Sequence, residues 1–114
     1  MRKRSRSSTG QEYDAADAVS ISTHVLDTER GEPARGVRVE LYRGDELVAT
    51  RETDEDGRIP DLAGDDAEPG LYRLVFHPRS PFFRRVEVEI ELGPGHYHVP
   101  LLLAPYSCAL YRGS

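Results

Sequence analysis

The chain has 114 residues, 38% of them hydrophobic and none tryptophan, enough for one domain with a thin core. Its formal net charge is −5, and setting aside Arg2, Lys3, Arg4 and Arg6 leaves −9 on the remainder, a poor surface for phosphates that excludes nucleic acid as a partner. A single cysteine, Cys108, excludes an internal disulfide, and the absence of any apolar run near the roughly 18 residues of a membrane helix excludes a membrane partner of that kind.

Residues 1–18 read as a flexible basic and polar extension, and 19–114 as the folded domain. Met1–Thr9 is basic with no apolar stretch behind it, so it does not read as a secretory signal, and a cytoplasmic location is expected. From Val19 the pattern takes a period of two: Val19, Ile21, Thr23 and Val25 alternate with Ser20, Ser22, His24 and Leu26, which predicts a strand. Asp27–Gly36, with two glycines and a proline, reads as a loop. Val37, Val39 and Leu41 mark a second strand, joined through the Arg43-Gly44-Asp45 turn to a third over Glu46–Thr53.

Asp54-Glu55-Asp56-Gly57 is a turn signal, and Arg58–Pro69 is polar with room for one helical turn at most. Leu71–Phe76 reads as a strand, and the two prolines of His77–Pro81 break it. Val86, Val88, Ile90 and Leu92 alternate with acidic residues in a half-buried strand. Gly93-Pro94-Gly95 reads as a hairpin turn into His96–Leu103, and Tyr106–Arg112 gives the last strand. Seven or eight short strands at this spacing predict an all-β Greek-key sandwich of two antiparallel sheets.

Chemistry concentrates on His96–Leu103. Tyr97, Val99, Leu101 and Leu103 form the natural core face, which leaves His96, His98, Pro100 and Leu102 together on the other. A solvent face more often carries Lys, Glu or Thr, so this mixed face suggests a surface covered by a ligand or another subunit. His24 points away from the core by the same alternation. Imidazoles suit proton transfer near neutral pH. On the residues alone, ordinary surface histidines account for the pattern equally well. A zinc site of His24, His96 and His98 is a further alternative, though no carboxylate or thiolate stands beside them. Arg58 is either an exposed loop arginine or an anchor for an anionic or carbonyl-rich ligand. Phosphate loops and the Gly-x-Ser-x-Gly elbow are absent from the sequence.

Four segments carry a family likeness. Ser22-Thr23-His24-Val25-Leu26-Asp27-Thr28 with Gly31, Pro33 and Gly36, then Thr53 with Asp56-Gly57-Arg58, then His96-Tyr97-His98-Val99-Pro100-Leu101-Leu102, and the closing Tyr111-Arg112-Gly113-Ser114 stand in that order. Together they resemble the transthyretin-like 5-hydroxyisourate hydrolases over about Ser20–Ser114. The resemblance implies a transthyretin-like (prealbumin-like) sandwich assembled as a homotetramer, a dimer of dimers, with the histidine face lining a channel between dimers. It implies 5-hydroxyisourate as substrate, no cofactor and no metal. It assigns His24, Arg58 and His98 as catalytic, and His96, Tyr111, Arg112, Gly113 and Ser114 as substrate-binding. The tetrapeptide and the His–Arg–His set favour hydrolase over the other reading of this fold, a small-ligand carrier.

The chain departs from the family pattern in three places. Only His77-Pro78-Arg79-Ser80-Pro81 separates Phe76 from Phe82, too short for a helix common there among members. Cys108, Ala109 and Leu110 replace the usual Tyr, Ser and Thr, which removes a hydroxyl expected to face the channel. Arg84-Arg85 stands where Pro-Glu is common.

Overall fold

The computed structural model describes residues 18–113. Apart from Ala18, the expected N-terminal extension lies outside the described residues, as does Ser114. Nine strands follow in order: β1 Val19–Asp27, β2 Glu32–Pro33, β3 Arg38–Arg43, β4 Glu46–Glu52, β5 Arg58–Ile59, β6 Gly70–His77, β7 Val86–Leu92, β8 Gly95–Ala104 and β9 Ser107–Leu110. They form two sheets. One runs β2-β1-β8-β9 with β5 also on β1, and the other runs β4-β3-β6-β7.

The period of two explains the layering. Val19, Ile21 and Val25 of β1 and Val99 and Leu101 of β8 face Val39 and Leu41 of β3 and Tyr72, Leu74 and Phe76 of β6 in one buried cluster. Thr23 holds a core position of β1, and its hydroxyl donates to the Val99 carbonyl at 2.6 Å, so the buried oxygen keeps a partner. Leu62 and Ala63, from the segment read as polar, turn inward and close one side of the core.

Two expectations change. Gly93-Pro94-Gly95 does not make a hairpin, because β7 and β8 belong to different sheets and β8 runs parallel to β1. The apolar row of β8 thereby faces that of β7 across the core. The turn is a crossover between layers, as a parallel pair requires. Within a sandwich otherwise built from antiparallel pairs, β1–β8 is the parallel one. The second change is a pair of two-residue strands where the sequence suggested irregular chain, β2 within Asp27–Gly36 and β5 at Arg58–Ile59. Between β6 and β7 the chain is irregular, as the short His77–Pro81 segment requires. Arg85 there forms an ion pair with Glu87 at 2.7 Å.

Candidate active site

The β1–β8 register builds the site. Ser20 lies beside His96, Ser22 beside His98 and His24 beside Pro100, all on the face turned away from the core. With strands about 4.8 Å apart and a rise of about 3.3 Å per residue, His24 and His98 stand about 8 Å apart at Cα. β5 adds the third element, since Arg58 is the direct cross-strand partner of His24. Opposed residues of a pair point to the same face, so a guanidinium and an imidazole leave the sheet side by side.

The turn before β5 is held by its own hydrogen bonds. Asp54 Oδ1 accepts the backbone N–H groups of Asp56 and Arg58, each at 2.9 Å, and Gly57 N–H donates to the Asp54 carbonyl. Gly57 has φ 74°, and a Cβ there would lie 2.5 Å from the Val25 carbonyl oxygen. The close approach of the turn to β1 therefore requires glycine. The turn also aims the Asp56 carbonyl at His24, whose Nε2 donates to it at 2.9 Å. A carbonyl only accepts, so Nε2 of His24 carries a proton and the lone pair of the neutral ring sits on Nδ1.

His98 occupies the centre. Its Nδ1 meets Ser22 Oγ at 2.8 Å, and Nε2 has no partner among the described residues. Burial, and then the neighbouring Arg58, His24 and His96, hold its pKa below the ordinary 6.5. His98 is therefore neutral at neutral pH, the state a proton acceptor needs. His96 is exposed and bridges Ser20 Oγ at 2.7 Å and Ser22 Oγ at 3.1 Å.

From the last segment the structure brings Gly113 to this group: its N–H donates to the His98 carbonyl at 2.7 Å, and a Cβ on it would stand 2.8 Å from His98 Cδ2. Tyr111 and Arg112 lie elsewhere in the single chain. Both line a groove of about 520 Å³ along β7, where the Arg112 guanidinium sits 4.7 Å from the centre of the Tyr97 ring. Ala109 is exposed opposite Leu102, on the histidine side of its strand. Among the described residues, no three His, Cys, Asp or Glu side chains are gathered so as to hold a metal ion. Nor is any helix there long and apolar enough to cross a membrane.

Sequence reasoning passed over Ser20, Ser22 and the Asp56 carbonyl. Alternation already put both serines on the histidine face. What it lacked was the parallel pairing that seats each serine against an imidazole.

A sequence profile described as the HIUase/Transthyretin family matches residues 21–113. The chain belongs to this family. Among its curated relatives are a 5-hydroxyisourate hydrolase of Pseudomonas aeruginosa, 41% identical over 82% of this chain and 90% of the relative, and 5-hydroxyisourate hydrolase 2 of Rhizobium meliloti, 43% identical over 82% and 95%. Two solved structures share the family fold. The Klebsiella pneumoniae 5-hydroxyisourate hydrolase superposes with a TM-score of 0.79 at 35% identity, covering 84% of this chain and 99% of that one. Sea bream transthyretin in complex with thyroxine gives 0.72 at 26% identity, covering 82% and 93%. The family fold thus serves both a hydrolase and a hormone-bound protein, and the side chains on the β1–β8 face must decide between them.

Proposed function

We propose that the chain hydrolyses 5-hydroxyisourate in urate breakdown, giving 2-oxo-4-hydroxy-4-carboxy-5-ureidoimidazoline. The supporting observation is the gathering of His24, Arg58 and His98 on one face by two strand pairings, in a chain about 40% identical to enzymes of that name. His98 Nε2 takes a proton from water as the water attacks the ring carbonyl next to the hydroxylated carbon. Arg58 binds substrate oxygens and stabilises the developing oxyanion. His24 presents Nδ1 to the same water, with its orientation fixed by the Asp56 carbonyl. The ring C–N bond then breaks, and the leaving nitrogen receives the proton from His98. Ser114 orients the ring through hydrogen bonds; Tyr111, which lies on the β7 groove of its own chain, joins it from a neighbouring subunit of the tetramer, and Arg112 holds their segment through Tyr97. The residues themselves supply acid–base and electrostatic catalysis, so the reading includes no cofactor.

The active particle in this reading is a tetramer in which two histidine faces meet and enclose the substrate. The face joins the imidazoles to Leu26, Leu102 and Ala109, and the chain also exposes Phe82 (66%) and Tyr106 (73%), more apolar surface than a lone sandwich needs. The unpaired Cys108 agrees with the expected cytoplasmic location.

The test is the ultraviolet decay of freshly prepared 5-hydroxyisourate. The protein accelerates it, and His98→Ala and Arg58→Ala each lower kcat about 10²-fold or more. A ligand carrier would leave the decay unchanged. Full activity in both variants would refute the site assignment.

A further inference from the structure

The chemistry above uses one nitrogen of His98, leaves Ser20 and Ser22 without a task, and gives His96 only the substrate contact that the family resemblance implies. These four side chains form an unbroken line: Ser20 Oγ to His96 Nδ1 at 2.7 Å, His96 Nε2 to Ser22 Oγ at 3.1 Å, and Ser22 Oγ to His98 Nδ1 at 2.8 Å. A hydroxyl donates one proton, and a neutral imidazole carries one on either nitrogen. Only two arrangements place a single proton in each contact. In one, His98 Nδ1–H donates to Ser22, Ser22 to His96 Nε2, and His96 Nδ1–H to Ser20, which leaves a lone pair on His98 Nε2. In the other every donor is reversed, and His98 Nε2 bears the proton. Ser22, beside the His98 end of the line, is 9% exposed, whereas His96, beside the Ser20 end, is exposed.

We propose that Ser20–His96–Ser22–His98 is a proton relay in which Ser22 is the positioning residue that sets the tautomer of His98. The inference rests on the hydrolase reading and adds residues to it. Ring opening forms one C–O bond and breaks one C–N bond. Of the two protons of water, one ends on the released nitrogen. The other belongs to the new carboxyl group, which ionises at neutral pH, so one proton per turnover must leave the site. His98 accepts it at Nε2. Its Nδ1 proton passes to Ser22 as the Ser22 proton passes to His96 Nε2. The His96 Nδ1 proton then passes to Ser20, and the Ser20 proton to solvent. When product leaves, His98 Nε2 gives its proton to water and Ser20 takes one up, which restores the first arrangement with one proton released in total. The line thus offers an exit while substrate and product close the histidine face to solvent.

Three variants and two solvents test the relay. Ser22→Ala removes the central hydroxyl, Ser22→Thr keeps it, and His96→Leu interrupts the line at its exposed end, where folding is not at risk. Steady-state rates on 5-hydroxyisourate are measured in mixtures of H2O and D2O, and the His98 tautomer is read by 15N NMR. The relay predicts that Ser22→Ala lowers kcat about tenfold with KM within about twofold and that His96→Leu lowers kcat by a similar factor, while Ser22→Thr recovers most of the loss. It predicts a curved dependence of rate on deuterium fraction for the parent and a straight one for the two interrupted variants. Ser22→Ala should also shift the His98 tautomer. Parent-like kcat, curvature and tautomer in Ser22→Ala or in His96→Leu would overturn the relay and leave the hydrolase reading intact. A parent protein that fails to accelerate substrate decay would instead overturn the hydrolase reading, and the relay with it.

Discussion

An imidazole can act as a base only while it is unprotonated, and His98 is kept so by burial and by Arg58, His24 and His96. The acid limb of kcat/KM should therefore fall below pH 6.5, the ordinary histidine value. Arg58→Met removes a positive neighbour, so the surviving activity should show that limb at higher pH; an unmoved limb would mean that another group titrates. The sign for stability is linked. The folded pKa is depressed, so the unfolded chain takes up the proton first, and His98 costs stability progressively as pH falls from 6.5 toward the folded value. The missing Cβ of Gly113 would stand 2.8 Å from the His98 ring. Gly113→Ala should displace the ring and lower kcat about tenfold or more with the fold intact, because small misplacements of a reacting group are expensive.

The informative elements are β1, β5 and β8. Alternation in the sequence was enough to place His24, His96 and His98 away from the core, because a strand's two faces follow from its period alone. It could not say which strands are neighbours, since pairing is decided by how apolar rows meet across the core, many residues apart. The parallel β1–β8 pair, and with it the serine–imidazole contacts, was therefore invisible, and Gly93-Pro94-Gly95 was read as a hairpin. The two-residue β5 is too short to show any period, although its turn signal was plain. That turn carries the element-scale prediction. Gly57→Ala pushes a Cβ to 2.5 Å from the Val25 carbonyl and strains a φ of 74°. It should destabilise the fold by about 2 kcal/mol. It should also lower activity, because Arg58 and the Asp56 carbonyl move together; denaturant unfolding and the decay assay read the two effects.

At the scale of the molecule, a single chain gives one half of the proposed enclosure. The histidine face lies open on one sheet, and Tyr111 and Arg112 line a groove at the sandwich edge instead. The proposed tetramer, which the family resemblance implies, would cover that face; neither alternation nor one chain's contacts point to it. Sedimentation equilibrium should give four times the mass of one chain, and dilution to the monomer should abolish turnover with the fold retained. A fully active monomer would remove the enclosure from the mechanism.

The claim that imidazoles from β1 and β8 act with one guanidinium on a single substrate is tested most directly by a crystal structure with a non-hydrolysable purine analogue. The account predicts the analogue's ring against His98 and His24, with a ring oxygen on the Arg58 guanidinium. An analogue seated in the Tyr111–Arg112 groove, or away from all three side chains, would contradict it.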